Sequence, residues 1–287
     1  MASTKSQAAA HAPGSIACLA EDRFLIVGSG FAEEFHLRWF WLSEPPADVF
    51  VRSAASILCG VSLAGPRSRE LLQRLTRVDL SAEAFRLFRV TETAVGLSPA
   101  ILTRAGFTGE LGYEIWTTPD YFATLYDELR ESGAGLGLIH FGGRALSSLR
   151  LEKAYGSFNK DFRPDYTPGE TGLDRYIDFN KPEFTGRAAA LAERAAGPRR
   201  RFVVMEVANA DAEVIGYESI MQDGVAVGYV TSGAYGHCVG KSLAAGYVPT
   251  ALAREGARFE IDVLGEMHAA TVRLEPLYDP KGLRLRG

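Results

Sequence analysis

Cysteine is scarce in this chain of 287 residues: Cys18, Cys59 and Cys238 are an odd number at wide spacing. That excludes a disulfide framework, and no pair has metal-ligand spacing. A reducing, cytoplasmic setting is the expectation. Cys59 falls in the apolar alternation Ile57, Cys59, Val61, Leu63 and reads as a small core residue rather than a nucleophile. The five histidines are scattered without an HxH or HxxE grouping, so no metal site is expected. No apolar run approaches the roughly 18 residues that span a bilayer. An excess of one charge is missing too. The net charge of -4 argues against a general nucleic-acid binder, and Pro198-Arg199-Arg200-Arg201 is the lone basic cluster, at a domain junction. Met1–Ser15 lacks both the apolar core of a secretory signal and the arginines of a transit peptide. Residues 1–18 are expected to be a disordered tail.

What is present changes texture along the chain. Before residue 197, short strand and helix patterns alternate. Arg23–Val27, Asp48–Arg52 and Ser56–Ala64 read as strands, and Ala32–Leu42 as a helix. A further helix opens at Gly65-Pro66, and another at Thr118-Pro119 with Phe122, Leu125, Tyr126 and Leu129 as its stripe. Gly143–Tyr155 is also read as helical. From Arg201 onward, period-two segments separated by Asp223-Gly224, Glu255-Gly256 and Leu264-Gly265 predict a small barrel or sandwich. The fold class expected is α+β, with a boundary in Ala195–Arg200. Gly28-Ser29-Gly30 follows a strand and opens a helix, but the last position of a dinucleotide fingerprint is Glu33, so nucleotide binding is not expected there.

The richest stretch is Arg104–Trp116, RAGFTGELGYEIW. Thr108-Gly109-Glu110-Leu111-Gly112 supplies turn chemistry, and Tyr113–Trp116 is the outgoing strand of a hairpin. Side chains alternate, so Glu114 and Trp116 share one face, Tyr113 and Ile115 the other. A carboxylate beside an indole suits a flat heterocycle rich in N–H donors, but it is equally the pattern of a surface glutamate beside a half-buried tryptophan.

TGELGYEIW, SLRLEKAYG, TPGETGLDRYIDFNKPEFTGRAA, VGYVTSGAYGHCVGKSLAAGYVP and LEPLYDP occur in an order and spacing that resemble the folate-binding aminomethyltransferase family. That family includes the glycine-cleavage T-protein and the C-terminal halves of dimethylglycine and sarcosine dehydrogenases. SLRLEKAYGSFNKDFRPDYTP is closer to the dehydrogenase branch. The resemblance implies a ferredoxin-like folate-binding portion over 19–197 and a compact β-barrel over 198–287, with the family's opening segment lacking a counterpart. It implies tetrahydrofolate as cofactor, with no flavin or NAD on this chain. The folate-contacting positions carried over are Phe107, Glu114, Ile115, Trp116 and Tyr176, with Glu114 holding the pterin edge. Phe107 stands where relatives usually have tyrosine. The arginine that precedes SLRLE in the T-protein is absent from Ala145-Leu146-Ser147. The family's acid-bearing strand corresponds to Pro13–Cys18, which has no acid, so the catalytic residue is unknown.

Three readings follow. The first is a one-carbon transferase that moves a methylene or methyl group from a small N-methyl glycine-type or aminomethyl donor to tetrahydrofolate. The second is a non-catalytic folate-binding module partnering a flavin-dependent amine dehydrogenase subunit. The third is a degenerate fragment. The Arg23–Val27 edge, expected to lack a partner, and the run Trp39-Phe40-Trp41 predict self-association or docking through the N-terminal half. Neither nucleic acid nor membrane is an expected partner.

Overall fold

A computed structural model describes residues 14–208 and 213–287. These form two compact units, Gly14–Leu149 with Asp279–Gly287, and Arg150–Tyr278. Residues 1–13 of the expected tail lie outside the described residues. Its remainder is not a tail, because Ser15–Ala20 forms strand β1 and pairs antiparallel with β2, Arg23–Val27, matching Ile16 to Ile26 and Cys18 to Phe24. The edge expected to be unpaired therefore has a partner. Helix α1 follows at Glu33–Leu42. Asp48–Arg52 is irregular rather than a strand. It follows the Pro45-Pro46 break, no strand among the described residues pairs with it, and the Val49 N–H donates locally to the Pro46 carbonyl (2.9 Å).

The centre of the first unit is an antiparallel sheet in the order β3-β6-β5-β4. Its strands are Cys59–Ala64 (β3), Val90–Val95 (β4), Ser98–Thr103 (β5) and Gly112–Thr117 (β6). Helices Ser68–Gln73 (α2) and Pro119–Gly133 (α3) cover one face. In α3 the extended Thr118 leads into a proline at the first turn, where a missing N–H costs nothing. Its Leu125 and Leu129 reach a core that contains Leu71, Leu72, Leu102, Tyr113 and Ile115. Each such side chain contributes about 1.5–3 kcal/mol on burial. The expected α+β class holds, with one refinement. A ferredoxin-like unit places one strand between those joined by its first crossover helix, whereas here both β6 and β5 separate β3 from β4.

The second unit ends in the expected barrel, closed in the order β10-β7-β12-β11-β8-β9. The strands are Arg200–Val207 (β7), Ser219–Gln222 (β8), Val225–Gly236 (β9), Lys241–Pro249 (β10), Arg258–Val263 (β11) and Glu266–Arg273 (β12). Closure satisfies the strand edges. The end of helix α4, Gly143–Glu152, belongs to this unit, as do the helices Pro168–Thr171 (α5) and Arg187–Ala196 (α6). Thr167 and Glu170 form a reciprocal capping box at the start of α5. Buried Arg150 donates to Asp161 (2.6 Å) and to Ser232 (2.7 Å). Asp161 also accepts from the Ser157 N–H (2.8 Å) and from the Thr231 hydroxyl (2.5 Å). That network ties residues 150–161 to β9, which explains why compactness divides the chain earlier than composition does. A last short helix, α7 at Leu283–Arg286, returns to the first unit.

Candidate functional site on the open face of the sheet

Strand β6 is asymmetric. Tyr113 and Ile115 are fully buried in the core beneath α2 and α3, while Glu114 and Trp116 are half-buried on the opposite face. On that face Glu114 lies between Ser62 of β3 and Thr103 of β5, and Trp116 between Gly60 and Ile101. The indole lies across Gly60, where an added Cβ would sit 2.5 Å from Trp116 Cε3. A glycine inside a strand is here a vacancy that the tryptophan fills.

The electrostatics single out Glu114. Partial burial pushes its carboxyl above the usual carboxylate range, and the nearby Trp116 indole N–H opposes that shift. The indole N–H is buried without a hydrogen bond of ordinary geometry, so it biases the carboxylate without satisfying it. No described residue forms an ion pair with Glu114, and the hydroxyls of Ser62 and Thr103 are not engaged by described residues. The result is a desolvated acceptor beside an aromatic plane and two hydroxyls able to donate or accept. Such a carboxylate has spare capacity for a bidentate donor edge.

The predicted residues are divided by this geometry. Glu114 and Trp116 come together as the pleat requires. Ile115 does not join them, since its side chain points into the core on the other face. Phe107 is 37% exposed in the loop that connects β5 and β6. In that loop Gly109 takes a φ of 81°, a conformation a β-carbon would strain. Tyr176 belongs to the other unit, 74% exposed at the end of a helical turn, with the Arg175 guanidinium 4.9 Å from its ring centroid. Sequence reasoning missed Gly60, Ser62 and Thr103. The signal for Gly60 was available as a glycine inside an apolar alternation.

A groove of about 510 Å³ between β1 and residues 88–92 is separate, and none of the predicted site residues lines it. Among the described residues no cluster of three potential metal ligands occurs, and no helix is long and apolar enough to cross a membrane.

Residues 5–181 match the GCVT N-terminal domain, and residues 200–279 match the glycine cleavage T-protein C-terminal barrel domain. The chain belongs to the glycine cleavage T-protein family. Its relatives include dimethylglycine dehydrogenases and aminomethyltransferases. It is 37% identical over 265 residues to dimethylglycine dehydrogenase of Rattus norvegicus, across 91% of this chain and 31% of the relative. It is 30% identical to the aminomethyltransferase of Moorella thermoacetica, across 90% of this chain and 70% of the relative. The chain thus spans about a third of the dehydrogenase. The aminomethyltransferase T of Bartonella henselae shares the fold, with a TM-score of 0.80 at 22% identity over 96% of this chain and 74% of that one.

Proposed function

We propose that this chain binds tetrahydrofolate on the open face of the β3-β6-β5-β4 sheet and takes part in one-carbon transfer from an N-methyl glycine-type or aminomethyl donor. The observation that carries the reading is the half-buried Glu114 carboxylate, without an ion-pair partner among the described residues, beside Trp116. The N–H edge of a pterin is the kind of partner that would satisfy such a carboxylate with two parallel bonds, while the indole packs against its ring. Family membership supports the cofactor, and similarity to both aminomethyltransferases and dimethylglycine dehydrogenases supports the donor class. Phe107, in the loop that leads into β6, is proposed as an additional aromatic contact. Bound tetrahydrofolate supplies the nitrogens that accept the one-carbon unit. This chain's residues bind the cofactor, orient it and keep water from the carboxylate.

A second reading, a folate-binding subunit without turnover of its own beside a flavin-dependent amine dehydrogenase, is favoured by β1. Its sequence, SIACLA, carries no carboxylate where the resemblance leads one to expect the acid. A turnover assay separates the two. Methylene-tetrahydrofolate formed from tetrahydrofolate and a dehydrogenase-generated N-methyl glycine intermediate, dependent on this chain, supports the transferase. Tight tetrahydrofolate binding with no rate above the uncatalysed background supports the subunit. The absence of binding rejects both.

A further inference from the structure

We infer that the segment Asp279–Gly287 is a strap that fixes the 104–111 loop, with Arg104 as a positioning residue for the ligand bound beside Glu114. The ligand rests on the folate reading above, and the mechanics do not. Arg104 is 2% exposed, at the point where β5 becomes the loop. No described carboxylate pairs with it. Its Nη1 donates to the Phe85 carbonyl (2.7 Å) and its Nη2 to the carbonyl of Arg286, while its Nε has no partner among the described residues. Burial pulls its pKa down, Tyr113 opposes that shift and Arg69 adds to it, and the two carbonyls are the acceptors that compensate the buried guanidinium.

The strap reaches the same region at further points. Both terminal nitrogens of Arg69 donate to the carbonyl of Gly287, at 3.3 and 3.4 Å. Arg284 pairs with Glu110 at 3.5 Å, inside the loop. Gly287 lies against Leu111: a β-carbon there would be 3.0 Å from both Leu111 methyl carbons. The strap is itself shaped locally. Asp279 accepts from the N–H groups of Leu283 (2.8 Å) and Arg284 (3.2 Å), and Gly282 takes a φ of 65°.

These attachments are largely polar. Leu283 is 67% exposed and Leu285 only half-buried, so apolar burial adds modestly to the polar contacts that hold the segment down. An element held by a few hydrogen bonds opens at a fraction of the global unfolding free energy. Opening takes one carbonyl from a buried guanidinium and breaks the Arg284–Glu110 pair, and the 104–111 loop carrying Phe107 loses these anchors. Loop order and strap docking are therefore linked, and a ligand that needs the ordered loop also favours the docked strap.

Hydrogen exchange in the full chain and in a chain ending at Gly282, each titrated with tetrahydrofolate, tests this. Truncation is expected to speed exchange across 104–111 and weaken tetrahydrofolate affinity by about tenfold, with the barrel amides unchanged. Arg104→Lys, which keeps the charge but loses the two-carbonyl fork, is expected to release the loop in the full-length chain even if the truncated chain fails to fold. A peptide of residues 281–287 added in trans should restore loop protection to the truncated chain. Unchanged loop exchange in Arg104→Lys overturns the inference, as does protection lost evenly across both units. If the full chain does not bind tetrahydrofolate, the functional reading fails and the exchange comparison still decides the strap.

Discussion

Asp161 and Glu114 are acids of the same chain in opposite circumstances. Asp161 is fully buried and satisfied by Arg150, the Ser157 N–H and the Thr231 hydroxyl, and its own carbonyl accepts from Tyr247 (2.6 Å). Glu114 is less buried, yet among the described residues it has no cation, and the indole N–H beside it makes no hydrogen bond of ordinary geometry. A network as complete as that of Asp161 specifies structure and leaves no capacity for a ligand. A desolvated, unsatisfied carboxylate costs stability, which suggests retention for binding. The amount of unused hydrogen-bonding capacity, rather than depth of burial, separates the two roles.

Breaking the complete network should have the largest effect. Arg150→Met leaves Asp161 buried without its cation and is expected to cost about 3–5 kcal/mol. Urea denaturation followed through the barrel unit checks this, and a loss below about 1 kcal/mol would mean that water replaces the arginine.

Glu114→Ala should act on binding instead. Tetrahydrofolate affinity is expected to weaken by roughly 2–4 kcal/mol, while the urea midpoint stays or rises. pH sharpens the contrast. The folded-state pKa of Glu114 is raised by burial, so its contribution to stability is fully present below the ordinary carboxylate range and is lost as pH rises through the raised value. Ligand binding, which uses the ionised form, runs the other way and fades as pH falls through that value. Affinity and apo-protein stability measured across this window should change in opposite directions, and Glu114→Gln should flatten both.

Gly60→Ala probes the floor of the site. The new methyl would meet the Trp116 ring at 2.5 Å and displace it. Overpacking of this kind costs about 1–3 kcal/mol, and here it should be read in ligand affinity as well as in thermal stability. The smallest effect belongs to Phe107→Tyr. At 37% exposure the position has room for a hydroxyl, and binding should be equal or tighter by up to about 1 kcal/mol. A drop of several degrees in melting temperature would show instead that the ring is packed.

The strand pleat made part of this legible in advance. Period two placed Glu114 with Trp116 and Tyr113 with Ile115, and it also argued against the site role that resemblance lent to Ile115. Turn residues exposed the barrel, and the Thr118-Pro119 start gave α3. What stayed hidden depended on distant partners. Strand β1 is a short, largely exposed segment whose identity depends on pairing with β2 across Glu21-Asp22. The hairpin β4-β5 turns at Gly96 (φ 58°), in a stretch where no element was expected. Arg150 and Asp161 read as motif charges until Thr231 and Ser232 close the network. The expectation of uncovered apolar surface near the N-terminus has a counterpart in Ile16, Phe24, Phe31 and Trp41, all more than half exposed. Trp41 Nε1 nevertheless donates to the Val51 carbonyl at 3.3 Å.

The most direct measurement is calorimetric titration of tetrahydrofolate into the wild-type chain and into Glu114→Gln at neutral pH, with the melting temperature of each apo-protein recorded alongside. The account predicts that the wild type binds, that the variant binds at least about tenfold more weakly, and that the variant melts no lower than the wild type. Equal affinity in both proteins, or a variant that loses binding only because it unfolds, would contradict it.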